Sequence, residues 1–213
     1  MPPKAKYSAE SVIEASRKII AEQGIGALTA REISATLGST TAPIFTYFGS
    51  MEEVVKAVYE SVSHECGIYL MEALDCFHTL TEFGVRWIKY AREKPNFYEF
   101  IFLHHGMTKD LVSTNQVSFS KMLEPLVEKV SKTYKITVVD AVSLVHTLTL
   151  VLSGLCNSII SNFQNYSDQD IVDIVGKIEV SMVNGFHLTY KNEAKKTEET
   201  KMPTAEAMKK YFS

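Results

Sequence analysis

Three cysteines, Cys66, Cys76 and Cys156, are too few and too scattered in 213 residues to build a disulfide framework. That scarcity fits a reducing compartment, and the chain is read as cytoplasmic. A surplus of positive charge is also missing: 22 Lys and Arg face 25 Asp and Glu, a formal net charge of −3. No polybasic tract announces a nucleic-acid or membrane partner, and residues 1–50 hold five basic side chains against four acidic ones. Catalytic signatures are absent too. There is no glycine-rich phosphate loop, no HExxH and no Ser-His-Asp arrangement, so no enzyme activity and no cofactor are expected. Residues 1–24 carry charges throughout and lack the apolar run of a secretory signal. Val142–Ile160 is long enough to cross a membrane, but His146, Asn157 and several Ser and Thr interrupt it, so it reads as a helix buried in protein.

Metal binding is not expected either. His104 and His105 are adjacent and diverge on a helix. His64 and Cys66 point to different faces of a helix, and the ten-residue gap to Cys76 and His78 puts the two pairs about 15 Å apart.

With 46% apolar residues the chain can bury a good core, and its patterning is helical throughout. Val12, Ala15, Ser16, Ile19 and Ile20 recur at helical spacing, with Ser8 as a cap and Gly24 as a stop. Thr29 and Glu32 form a capping box that opens a short second helix ending at Gly38. A third helix follows, capped by Ser39 or Thr40 with Pro43 in its first turn, and ends near Phe48. Ser50 and Glu53 open a long helix from Met51 to about Phe77. Further helices are expected over Thr81–Glu93, Asn96–His104, Val117–Tyr134, Val138–Phe163 and Asp168–Tyr190. Pro95 separates two of them and Pro125 starts or kinks another. The fold expected is all-α in three parts: residues 1–50 as a three-helix helix-turn-helix domain, 51–190 as a larger helical domain, and 191–213 as a charged linker with a short amphipathic helix over Ala205–Phe212.

The tight turn Leu37-Gly38-Ser39-Thr40 between two short helices has helix-turn-helix geometry, in which the later helix enters the DNA major groove. The whole stretch from Ala27 to Val54, with Arg31-Glu32-Ile33-Ser34, the glycine turn, Tyr47-Phe48 and Gly49-Ser50-Met51-Glu52-Glu53, resembles the N-terminal domain of the TetR family of regulators. The resemblance implies a homodimer with one recognition helix per subunit, double-stranded DNA as a partner, and a C-terminal domain that binds a small-molecule inducer. It departs from the family pattern at Phe45, where Tyr is usual, and at Met51, where Lys is usual.

Ile33, Leu37, Ile44 and Phe48 are expected to pack with Val12, Ala15 and Ile19. Thr40, Thr41, Ala42, Pro43, Thr46 and Tyr47 are left to face DNA. Without Arg, Lys, Asn or Gln, base readout would rest on Thr hydroxyls and on apolar contact with thymine methyls. Lys4, Lys6, Thr29, Arg31 and the Thr46–Tyr47 end of the helix would anchor phosphates. Dimerisation is expected through Val138–Phe163 and Asp168–Tyr190, the latter carrying Ile171, Ile174, Val175, Ile178, Met182 and Phe186 on one face. Trp87, Tyr90, Phe119 and His146 are expected to touch a ligand, as polar handles or rings on apolar faces. The function expected is a regulator, acting as a repressor released by its inducer; an all-helical enzyme or a protein-interaction adaptor is the alternative.

Overall fold

A computed structural model describes residues 7–103 and 109–193, giving the backbone alone for 109–118 and 186–193. Nine α-helices and two short 3-10 turns are its regular elements, with no strand among the described residues. The helices are α1 (Ala9–Gln23), α2 (Ala30–Leu37), α3 (Ala42–Tyr47), α4 (Met51–Met71), α5 (Thr79–Glu93), α6 (Pro95–Phe102), α7 (Lys109–Tyr134), α8 (Val138–Ile160) and α9 (Asp168–Glu193). The chain is thus all-α, as the patterning requires. Lys4, Lys6, His104, His105 and the expected helix over Ala205–Phe212 lie outside the described residues.

Local chemistry accounts for most helix starts. Ser8 and Ser11 cap α1 reciprocally, each side chain accepting the other's backbone N–H. Thr137 accepts from the Asp140 amide at the start of α8. The expected Ser50–Glu53 box is shifted by one residue: Ser50 accepts the Glu53 amide, but the Glu53 carboxylate accepts from Gly49 N–H at 2.9 Å. Helix α4 stops six residues short of Phe77, because the chain tightens into a 3-10 turn over Glu72–Asp75 and extends at Cys76. Helix α8 ends at Ile160 rather than Phe163, since Asn162 takes a left-handed conformation (φ 54°) that ends the spiral. Pro125 lies inside α7.

The residues gather into two compact units. One holds the residues up to Tyr69 together with Tyr90–Phe119, and the other holds Leu70–Lys89 with the residues from Ser120 onward. In the first, α1 packs against α2, α3 and α6. Val12, Ile19, Ile20, Ile33 and Ile44 are all but sealed from solvent there. At the far end of α1, the Asn96 side chain donates to Ala21 O at 2.9 Å, and the Arg17 guanidinium pairs with Glu65 and lies 5.7 Å from the Phe97 ring centre.

In the second unit, Leu80, Phe83, Leu144, Leu152 and Val175 are buried. Gly84 lets the helices close up: a Cβ there would lie 2.6 Å from Val175 Cγ1 and 3.1 Å from Leu152 Cδ2. Helix α9 turns Ile171, Val175 and Glu179 inward. Ile174, Ile178 and Met182, expected on the same face, are only half-buried, and the Phe186 side chain lies outside the described residues.

Glu179 is the buried charge in this unit. Its carboxylate accepts from Thr81 N–H at 2.7 Å, from the Thr81 hydroxyl and from the Tyr134 hydroxyl, and His78 Nδ1 lies 3.9 Å away. One side chain of α9 thereby holds the first turn of α5 and the last turn of α7, with the acid placed where a helix N-terminus favours it. The carboxylate and burial together hold the Tyr134 phenol protonated well above its usual range. Replacing Glu179 with Ala strands several donors, which should cost about 2–3 kcal/mol and lower Tm by roughly 5–10 °C. Thermal unfolding followed by circular dichroism checks this, and an unchanged Tm would show that the buried carboxylate holds nothing together.

Candidate functional site

The turn between α2 and α3 is built on Gly38, which is left-handed at φ 62° and ψ 44°. Its amide donates to Ala35 O, and Ser39 N–H donates to Ser34 O at 2.9 Å, closing the end of α2. The expected Thr29–Glu32 cap is present: the Thr29 hydroxyl oxygen accepts the Glu32 amide at 3.2 Å. That leaves the hydroxyl proton free to donate outward. Arg31 in the first turn of α2 is exposed.

Helix α3 begins one residue later than expected. Thr41 is its N-cap, not Ser39 or Thr40, and makes no side-chain cap bond; Ser39 Oγ donates instead to Thr40 O. Ile44 and Phe48 turn into the core, while Leu37 is half-buried. Thr40, Thr41, Ala42, Thr46 and Tyr47 are exposed along one side, with Pro43 half-exposed. The Thr46 hydroxyl donates to Ala42 O at 2.8 Å, so its oxygen faces outward chiefly as an acceptor.

Two features of this surface were not read from the sequence. Phe45 is 49% exposed, a large apolar ring standing among the threonines. Its place follows from helical spacing, since burying Ile44 and Phe48 turns position 45 away from the core. Tyr7 is the other. Its hydroxyl donates to Gly38 O at 3.1 Å, and its own carbonyl accepts from the Tyr47 hydroxyl at 2.8 Å. This clasp fastens the chain before α1 to both the turn and α3, and it occupies the Tyr47 proton. No short-range pattern signals it, because the partners are 31 and 40 residues apart.

The four side chains singled out for ligand contact do not form one cluster within either unit. Tyr90 and Phe119 belong to the first unit, Trp87 and His146 to the second. Tyr90 is buried against Tyr69 at a ring separation of 6.2 Å, and Phe119 meets Phe102 edge-on at 5.6 Å. Trp87 is buried edge-on to Phe83 at 5.5 Å, and His146 is half-buried on α8. Among the described residues, no three His, Cys, Asp or Glu side chains are grouped as metal ligands would be.

In α8, Leu144, Leu148, Leu152 and Cys156 form the buried side. Opposite them Leu150 is 61% exposed, with Val138 and Val151 also exposed. On α9, Val180 is 60% exposed, and Val172 is exposed as well. Helix α8 has the length and composition to cross a membrane, a test that the core helix of a folded protein also passes.

Residues 12–58 match the family model of bacterial regulatory proteins, tetR family. A comparison with curated protein sequences finds no match. Among solved structures, a candidate transcriptional regulator from Pseudomonas aeruginosa PAO1 superposes with a TM-score of 0.66 at 16% identity, over 85% of this chain and 93% of that one. The multidrug binding protein EbrR complexed with ethidium gives 0.60 at 13% identity, over 84% and 99%. AibR in complex with isovaleryl coenzyme A and operator DNA gives 0.57 at 16% identity, over 79% and 96%. At these identities the likeness is one of fold.

Gly38 offers a direct check of the turn. A Cβ at this position meets nothing within 4 Å, so Gly38→Ala isolates the backbone strain of the left-handed conformation. Tm should fall by about 2–4 °C, corresponding to about 1 kcal/mol, and Gly38→Asn should recover part of the loss. Equal Tm values for all three proteins in a thermal melt would contradict the turn geometry.

Proposed function

From membership of the tetR family of bacterial regulatory proteins, carried by its N-terminal domain, we propose that this chain represses transcription as a homodimer on palindromic DNA and is released by a small molecule. Residues 1–50 read the DNA, 51–190 hold the ligand and the dimer contact, and 191–213 form a tail. The protein acts in the cytoplasm, where that DNA lies. The observation that carries this reading is the single exposed surface of Thr40, Thr41, Ala42, Thr46 and Tyr47 beside the Gly38 turn. AibR, bound to both isovaleryl coenzyme A and operator DNA, supports a ligand-responsive role for the fold.

In the major groove, Thr41 and Thr46 offer hydroxyls to base edges, while Ala42 and Pro43 offer apolar contact to thymine methyls. Phe45, exposed beside them, joins that apolar contact. The Thr29 proton and the Arg31 guanidinium reach phosphates, with Lys4 and Lys6 adding charge from the arm ahead of Tyr7. Tyr47 serves first to hold the Tyr7 carbonyl and meets phosphate only by exchanging that partner.

The exposed apolar residues of α8 and α9 need a partner surface, and a second copy related by a two-fold axis supplies one. Two recognition helices about 34–36 Å apart then enter successive major grooves. A ligand held near Trp87, Tyr90, Phe119 and His146 favours a different spacing, so ligand and DNA weaken each other's binding.

Gel shifts with the promoter DNA flanking the gene test this reading; a folded dimer that leaves such DNA unshifted at low salt would sink it. Arg31→Ala should weaken binding to every sequence by about three- to tenfold and lower the salt slope by about one, whereas Thr41→Ala should change base preference. Identical behaviour of the two variants would refute the division into phosphate and base contacts. Leu150→Arg combined with Val180→Arg should shift the protein to monomer in sedimentation and abolish the operator shift. A double variant that stays dimeric would place the interface elsewhere.

A further inference from the structure

Helix α4 carries Tyr59, Ser63 and Cys66 at i, i+4 and i+7, a single stripe along one face. All three belong to the first compact unit, as does Tyr90 of α5. The Ser63 hydroxyl faces Tyr59, and the Cys66 thiol faces Tyr90. Tyr59, Cys66 and Tyr90 are each at most 5% exposed. Phe100 lies edge-on to Tyr59 at 5.7 Å, and Tyr69 lies tilted against Tyr90. Four weakly acidic donors thus share an aromatic interior. Burial raises the Tyr59 and Tyr90 phenols and pushes the Cys66 thiol up to about 12, so every one of them keeps its proton at neutral pH.

Their hydrogen bonding is incomplete. Ser63 Oγ and Tyr90 Oη, both shut off from solvent, meet no partner with hydrogen-bond geometry, and their polar neighbours are themselves hydroxyls and a thiol. A buried donor without an acceptor is destabilising, and phenylalanine or alanine at these positions would avoid the penalty. Two such donors on neighbouring helices mark a place where the acceptor comes from outside the chain.

We infer that Ser63 and Tyr90 form the polar anchor of the ligand site, and that the ligand is an uncharged, largely apolar molecule whose carbonyl oxygen accepts from both. The inference rests on the ligand-responsive reading above and names the ligand's chemistry. Charge argues for the neutral class. The nearby carboxylate, Glu65, already sits between Arg17 and Lys94, the latter at 2.6 Å. A cation would therefore leave water without gaining a free counter-charge. A carboxylate would enter the field of Glu65, which already raises Tyr90 and Cys66. A carbonyl oxygen has neither difficulty, and the rings around it accommodate the apolar remainder. This class differs from the ethidium cation held by EbrR.

Four probes of similar size test the inference on the full-length protein: acetophenone, ethylbenzene, benzoate and benzyltrimethylammonium, with Kd from ligand-observed NMR. Acetophenone should bind tightest, about tenfold better than ethylbenzene. Tyr90→Phe and Ser63→Ala should each weaken acetophenone by about three- to tenfold and leave ethylbenzene unchanged. Without ligand, both variants should melt at or above the parent temperature, since each removes an unmet donor. Equal binding of ketone and hydrocarbon, preference for either ion, failure of all four probes to bind, or a lower Tm in both variants would overturn it. Gel shifts on the same preparations keep the two readings apart. A protein that shifts DNA but shows no ketone preference loses only the ligand class, and one that shifts no DNA loses the regulator reading while the probe ranking is judged separately.

Discussion

Helix α1 has to be packed on one face and fastened at its end at the same time, and the first compact unit depends on both. Val12, Ala15, Ile19 and Ile20 give the face against which α2 and α3 close. Ser16, buried among them, returns its hydroxyl to Val12 O at 2.7 Å, so the polar atom is satisfied within the helix. The end is fastened by different chemistry. Asn96 takes the Ala21 carbonyl, one of those a helix C-terminus leaves without an intrahelical partner, and Arg17 reaches Ser61 and Glu65 of α4. A short rigid helix is thereby in direct contact with the recognition turn on one side and with α4 and α6 on the other. In the proposed mechanism this makes a long relay unnecessary: a displacement of α4 or α6 acts on α1 directly, and α1 carries α3 with it.

What the sequence made legible was local. Caps at Ser8, Thr29 and Ser50 rest on partners three residues away, and helical spacing separates Ile44 and Phe48 from the outward-facing threonines. The elements hidden from a linear reading are those whose partners are distant. Glu179 reads as one more solvated charge on an amphipathic helix until Thr81, 98 residues away, donates to it. Gly84 reads as a weak point in α5 until Val175 and Leu152 occupy the space a side chain would need. Tyr7 lies ahead of the first helix, where no periodicity applies, yet it closes the recognition turn. The overrun of α4 has a similar cause: residues 72–77 continue an apolar pattern, while the chain turns there so that α5 can start at Thr79, whose hydroxyl donates to Cys76 O.

The two candidate surfaces share a chemistry. Helix α3 presents threonines and a tyrosine with no charged side chain between Ser39 and Phe48, and the interior site presents a serine and a tyrosine. Hydroxyl contacts act only at hydrogen-bond distance and only in the right orientation, whereas charges attract from about a Debye length away. Recognition built this way gains selectivity from fit, with little long-range steering and a shallow dependence on salt. Each half of such a regulator binds weakly by itself. Two identical halves on one palindrome roughly double the binding free energy of either, less the cost of holding them in register. An interface that fixes their spacing is then the natural place for a ligand to act, because a small loss of register removes the contribution of a whole half-site.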